Sequence, residues 1–123
     1  MSATENTRPV LDTAALDELR ACDEGGDQSL VAELIDIYLS DTPGRLAALR
    51  VSFDSGNPAA MSREAHALKS SCGQLGATTM YECCRQLEQL GRAGSLAGAG
   101  EFVARLEAEF PRVKAALLVQ RGR

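Results

Sequence analysis

The sequence contains no tryptophan, only two tyrosines and three phenylalanines, and a single histidine. A core must therefore be built mainly from Leu, Ala, Val, Ile and Met. This set favours helices, because Ala and Leu lose little free energy on entering one. No alternating apolar and polar run is long enough to predict a strand, and no internal repeat indicates a solenoid. The 123 residues fit one domain.

Other absences exclude whole classes of function. The net charge is −4, and no basic stripe indicates binding to nucleic acid. No apolar run is long enough to cross a bilayer, so no membrane contact is expected. Residues 1–9 are polar and lack the apolar stretch of a signal peptide. We therefore interpret residues 1–10 as a flexible tail and residues 11–121 as the domain, located in the cytoplasm.

The four cysteines form neither a CxxC motif nor a disulfide framework. Without an export signal we expect reduced thiols. Cys72 and one of Cys83 or Cys84 fall on apolar stripes, which indicates small core residues. With one histidine and no cluster of ligand side chains, no metal site is predicted, because a structural zinc site needs four ligands.

Glycine, proline and polar clusters divide the chain into helical segments. The first spans about residues 13–22, with Asp12 as its N-cap. The second begins after Asp27, another good cap. Its apolar pattern continues across Pro43, where two alternatives remain open. Either the proline kinks one helix, or Thr42 caps a fresh segment with Pro43 at its first position.

Three further helices have start and end signals in the sequence. These signals are Asn57-Pro58 and Gly76 for the third helix, the capping box Thr79-Met80-Tyr81-Glu82 and the glycines 91 and 94 for the fourth, and a pattern from about Leu96 to Val119 for the fifth. Pro111 is expected to bend the fifth helix. Four long amphipathic helices with short connections predict an all-α fold. It is an antiparallel four-helix bundle, and the short N-terminal helix covers one end.

The third helix separates a buried face from the only histidine. At about 100° per residue, five apolar residues share one arc of roughly 80°, which predicts the buried face. They are Met61, Ala65, Leu68, Cys72 and Leu75. His66 lies about 140° from the middle of that arc, so its ring is predicted to point toward solvent.

Small residues surround His66 on the outer face of this helix. Four of them lie within about 40° of the histidine on the helical wheel. They are Ala59, Ser62, Ser70 and Gly73. Arg63 and Lys69 lie on opposite sides, about 60° away. We predict that Ser62, Arg63, Ser70 and Gly73 form a face open to another protein. A lysine near the ring suits a group that becomes a dianion.

The segment that begins at His66 resembles the histidine-phosphotransfer (HPt) domain of bacterial multistep phosphorelays. The motif of that family reads approximately H-x-L-K-G-S/A-x-x-x-L-G, followed by an L-E or I-Q pair in the next helix. The matching residues here are His66, Leu68, Lys69, Ser71, Leu75 and Gly76, then Leu87-Glu88. The coarser pattern extends from Leu11 to about Leu118.

The resemblance implies that His66 accepts a phosphoryl group from the phospho-aspartate of a receiver domain and passes it to another receiver. It also implies that Lys69 assists with the phosphate and that Glu88 hydrogen-bonds the imidazole. The implied partners are receiver domains of a response regulator or a hybrid sensor histidine kinase. Mg²⁺ is expected on the receiver, and this chain is expected to carry no cofactor and to be a monomer. The sequence has no Gly-rich nucleotide loop, so neither ATP binding nor autokinase activity is predicted.

One residue departs from the family motif. Ser70 stands where the family usually has glycine. Its hydroxyl could hydrogen-bond a phosphoryl oxygen, or its bulk could slow docking, and both alternatives remain open. An alternative function is a non-catalytic helical interaction module that has lost phosphotransfer.

Overall fold

The computed structural model describes residues 10–22 and 29–122, which form five α-helices and no strand. The helices are α1 (Thr13–Cys22), α2 (Ser29–Asp54), α3 (Pro58–Leu75), α4 (Thr78–Arg92) and α5 (Ala99–Arg121). Each of α2, α3 and α4 packs against the helix that follows it, α2 also packs against α5, and α1 packs against α2 and α3. Ion pairs join Asp36 to Arg121 and Arg50 to Glu107. The earlier residue of α2 pairs with the later residue of α5, so these two helices run antiparallel. The predicted antiparallel four-helix bundle is confirmed.

Apolar side chains from all five helices form one core. The five residues predicted for the buried face of α3 are all buried. Cys72 is buried as predicted, and both Cys83 and Cys84 are buried where the apolar stripe accounted for only one of them. The reason is that α4 packs against both α3 and α5, which buries a wider arc of its surface. No helix in the described ranges is long and apolar enough to span a bilayer.

Caps at both ends of α3 follow the sequence prediction. Asn57 accepts a hydrogen bond from the Ala60 amide at 3.1 Å, and Pro58 is the first helical residue. At the other end Gly76 has a left-handed backbone with φ of +79°. The Gly76 carbonyl accepts from the Asp12 amide at 2.8 Å, so the start of α1 is joined to the end of α3. The Asp12 side chain also caps α1 as predicted, accepting from the Ala14 amide at 3.1 Å.

The capping box predicted for the fourth helix is wrong. Helix α4 begins at Thr78, and its N-cap residue, Ala77, makes no side-chain cap bond. Thr79 is already inside the helix. The physical reason is the short connection, since Gly76 ends α3 and the Ala77 carbonyl already accepts the helical bond from the Tyr81 amide at 2.9 Å. The tight turn fixes the start of α4, and the side chain of Thr79 does not.

The prolines lie inside continuous helices. Helix α2 runs through Pro43, and the Thr42 hydroxyl donates to the Tyr38 carbonyl at 2.6 Å, so Thr42 does not cap a fresh segment. Helix α5 likewise runs through Pro111 and begins at Ala99, later than predicted, because Gly98 before it has a φ of +78°. The bend expected at Pro111 stays a prediction. Residues 1–9 of the predicted tail and the cap at Asp27 lie outside the described residues, and Val10, the last residue of that tail, packs against the core.

Candidate functional site

His66 projects from the outer face of α3, and 60% of its side chain is exposed. The residues directly behind it, Ala65 and Leu68, are fully buried. The ring lines an open cleft of about 410 Å³ between α3 and α4. The other residues that line this cleft are Ser62, Arg63, Glu88 and Arg92. The predicted orientation of the histidine is therefore observed, and a partner protein can reach the ring.

The buried carboxylate of Glu88 fixes one nitrogen of the ring. Glu88 Oε2 lies 2.9 Å from His66 Nδ1, and only 3% of the Glu88 side chain is exposed. An ionised carboxylate can only accept hydrogen bonds, so in the neutral ring Nδ1 carries the hydrogen and donates it. The other nitrogen, Nε2, then keeps its lone pair and is the nucleophilic atom.

Two cations balance the charge of Glu88. Lys69 Nζ lies 2.6 Å from Glu88 Oε1, and a guanidinium nitrogen of Arg92 lies 2.6 Å from Oε2. The hydrogen bond from Lys69 has the largest effect in lowering the pKa of the Glu88 carboxyl. The hydrogen bond from His66 and the charge of Arg92 also lower this pKa, while burial opposes them. Glu88 is therefore ionised at neutral pH.

A glycine lets α3 and α4 approach closely beside this cluster. A Cβ atom built on Gly91 would lie 2.5 Å from the Pro58 carbonyl oxygen and 2.7 Å from Ser62 Cβ. Gly91 lies one helical turn after Glu88, and Ser62 lies one turn before His66. Contact between the helices at Gly91 thus brings the Glu88 carboxylate within reach of the imidazole.

The docking face predicted on α3 is only partly available to a partner. The side chain of Arg63 is exposed and lines the cleft. Ser62 is half-buried, and its hydroxyl donates to the Glu88 carbonyl at 3.3 Å. Ser62 therefore joins α3 to α4 at the wall of the cleft.

The remaining part of that face is exposed and carries only small residues. Ser70 and Gly73 are exposed. The Ser70 hydroxyl donates to the His66 carbonyl at 3.3 Å, so it is engaged with the helix backbone. The ring of Tyr81 on α4 lies against Gly73, with its edge 3.3 Å from where a Cβ atom would be. An aromatic side chain thus extends the face beyond α3.

Two residues at the site, Arg92 and Tyr81, were not predicted from the sequence. The sequence does contain a signal for Arg92, because it follows Glu88 by four residues on one helix, which is the spacing of a helical ion pair. No comparable signal exists for Tyr81, since its contact with Gly73 crosses between helices. The structure also shows Lys69 half-buried and bonded to Glu88, a contact that the helical wheel of α3 could not reveal.

The lowered pKa of Glu88 predicts a pH-dependent contribution to stability. A carboxyl whose pKa is lower in the folded state stabilises the fold above its ordinary value of 4.5, and this contribution is lost as the pH falls through the lowered pKa. We expect Glu88→Gln to reduce the free energy of unfolding at pH 7 and to have little effect at strongly acidic pH. Urea denaturation of both proteins across this pH range measures the difference, and a pH-independent difference would contradict the prediction.

Comparison with known proteins identifies the family. The chain matches the family model described as Hpt domain over residues 33–116. Among solved structures it is similar to histidine-containing phosphotransfer protein B (HptB) from Pseudomonas aeruginosa PAO1. The TM-score is 0.83 and the identity is 27%, and the match covers 95% of this chain and 98% of that chain. No curated protein matches the chain. Because the family model spans most of its length, this chain belongs to the Hpt domain family.

Proposed function

We propose that this protein relays a phosphoryl group from the phospho-aspartate of one receiver domain to His66 and then to another receiver domain. Membership of the Hpt family supports histidine phosphotransfer in a phosphorelay, by a phosphocarrier and not a kinase. The observation that carries the proposal is the exposed ring of His66, whose Nδ1 is held by the buried carboxylate of Glu88 at 2.9 Å.

The transfer chemistry follows from the state of the ring. The lone pair on His66 Nε2 attacks the phosphorus, in line with the aspartate oxygen that leaves. The P–O bond breaks, its electron pair departs with the aspartate carboxylate, and a P–N bond forms at Nε2. The hydrogen on Nδ1 stays on the ring, where the charge of Glu88 stabilises the positive phosphorylated imidazole. The reverse steps pass the phosphoryl group to the next receiver.

Positive charge around the ring favours a phosphoryl group there. Arg63 and Arg92 line the cleft, and Lys69 contributes to phosphate stabilisation with its charge beside Glu88. The receiver domain supplies Mg²⁺ at its own phosphorylation site, and this chain contributes the acceptor without a cofactor of its own. We propose that the protein acts in the cytoplasm as a monomer.

A transfer assay with purified receivers tests this function. Receiver domains of the organism are phosphorylated with labelled acetyl phosphate and mixed with the protein for short times. We expect at least one receiver to transfer label rapidly, giving a phosphoprotein that is labile to acid and stable to alkali. If receivers bind and none transfers label, the protein is instead an interaction module that has lost phosphotransfer.

A bulky side chain at Gly73 is expected to block docking without altering the chemistry of His66. Gly73 is exposed two helical turns from the histidine, on the face proposed to meet the receiver. We expect Gly73→Arg to slow transfer from a receiver by about tenfold, the rate equivalent of about 1.4 kcal/mol. Phosphorylation by phosphoramidate, a small chemical donor, should keep its wild-type rate.

A matched control for this variant lies on α2. Gly44 is exposed, and a Cβ atom there would meet nothing within 4 Å. No residue of α2 lines the cleft beside His66. Gly44→Arg should therefore transfer as the wild type does. Equal slowing with both donors in Gly73→Arg would show that the substitution damages the histidine site and not docking.

A further inference from the structure

We propose that Arg92 is the residue that directly contacts the phosphoryl group on His66, while Lys69 stays bound to Glu88 before and after transfer. This inference rests on the proposed function and divides the two cations between two tasks. Arg92 acts as a catalytic residue, because it touches the transferred group. Lys69 acts as a positioning residue through Glu88, and its charge acts on the phosphoryl group without direct contact.

Arg92 and Lys69 approach Glu88 from different sides. Arg92 and His66 Nδ1 both bond to the same oxygen of Glu88, Oε2, so the guanidinium lies beside the ring. Arg92 also lines the open cleft that contains His66, whereas Lys69 does not. Lys69 approaches Glu88 from the other side, at Oε1. A phosphoryl group entering through the cleft therefore meets Arg92 first.

The two cations also differ in their exposure to solvent. The side chain of Arg92 is 69% exposed, and that of Lys69 is 23% exposed. The guanidinium of Arg92 stays in contact with water when it leaves Glu88, and Oε2 of the buried carboxylate keeps its bond to His66 Nδ1, so the departure of Arg92 costs little. Lys69 is held more firmly, because its departure would deprive a buried carboxylate of its nearest ammonium.

The guanidinium of Arg92 has hydrogen-bond donors that its bond to Glu88 does not use. A guanidinium has five N–H donors in a planar fork that matches phosphate oxygens, and a single donor nitrogen of Arg92 bonds to Glu88. If Arg92 turns to the phosphoryl group, Glu88 Oε2 still accepts from His66 Nδ1, and Oε1 still forms its ion pair with Lys69 Nζ. The buried carboxylate therefore remains paired in both states.

The test uses phosphoramidate to phosphorylate His66 without a receiver. Titration of the phosphoryl group followed by ³¹P NMR reports the charge that touches it. We expect Arg92→Gln to raise the second pKa of the phosphoryl group by about one unit, because an adjacent cation is lost. Arg92→Lys should restore most of the wild-type value. The control is Arg85→Gln, which removes another arginine of α4 that is paired with a glutamate, and it should change nothing.

A second measurement separates the two tasks. Before phosphorylation, Lys69→Gln should shift the ¹⁵N resonances of the His66 ring, because Glu88 moves, whereas Arg92→Gln should leave Glu88 held by Lys69 and shift them little. If the phosphoryl group of Arg92→Gln has the wild-type pKa, Arg92 does not contact it. This inference is then overturned, while the proposed function is unaffected. If wild-type His66 takes no phosphoryl group from phosphoramidate or any receiver, the proposed function fails and this inference falls with it.

Discussion

His66→Gln is expected to take up no acid-labile phosphate from any receiver or from phosphoramidate, while its fold remains that of the wild type. Glutamine lacks the ring nitrogen that forms the P–N bond. The substituted side chain lies at the surface, so the apolar core behind it is unchanged. Glu88 also keeps Lys69 and Arg92 as partners. Labelling and circular dichroism of the same samples check both parts.

A second variant shows whether an exposed imidazole alone suffices. Gln74 is exposed on α3 two turns beyond His66. In the double variant His66→Gln, Gln74→His, the new ring has no buried carboxylate to hold its nitrogen, and we expect no transfer from a receiver. If the single variant His66→Gln still takes up label, the acceptor is a residue other than His66. Loss of helical structure in that variant would contradict the surface position of the ring.

Gly91→Ala is expected to lower both stability and transfer. Glycine inside a helix usually costs about 1 kcal/mol relative to alanine, so the substitution would ordinarily stabilise the protein. Here the new methyl group would lie 2.5 Å from the Pro58 carbonyl oxygen and 2.7 Å from Ser62 Cβ. Relief requires α3 and α4 to separate, at a cost of about 1–3 kcal/mol for overpacking. Separation also draws Glu88 away from His66, which slows transfer.

The control for Gly91→Ala is the same change at a helical glycine with free space. A Cβ atom at Gly44 meets nothing within 4 Å, so Gly44→Ala should stabilise the protein by about 0.4–1 kcal/mol. The two substitutions are thus expected to have opposite signs in urea denaturation. A Gly91→Ala protein as stable as Gly44→Ala would show that the helices adjust without loss, and that close approach at this turn is not required.

Local periodicity was sufficient to predict the helix that carries the site. The buried face of α3 and the outward direction of His66 depend only on the pitch of one helix. The bond from His66 to Glu88 could not be derived in this way, because it depends on how closely α3 approaches α4. That approach requires the absence of a side chain at Gly91, and this requirement is visible only when the two helices are packed together. In the sequence analysis, Glu88 was assigned by family resemblance alone.

Contacts between helices also explain why the predicted capping box was wrong and why the direction of the Lys69 side chain was not predicted. Thr79 fits the local pattern of a capping box, yet the short turn after Gly76 starts the helix before it. The helical wheel placed Lys69 correctly beside His66 but could not show the direction of its side chain. That direction is set by a carboxylate on the neighbouring helix. Contacts between helices therefore decided the details that periodicity left open.

The charges of Glu88, Lys69 and Arg92 determine how tightly the protein holds a phosphoryl group. Glu88 offers one negative charge against the positive charges of Lys69 and Arg92, leaving one positive charge in surplus. A phosphoryl dianion on a ring that keeps its Nδ1 hydrogen brings one net negative charge. Loading would therefore cancel the surplus and leave the cluster electrically neutral. An incoming phosphoryl group is attracted by a single surplus charge and a departing group works against that same single charge, so the carrier retains the phosphoryl group without trapping it.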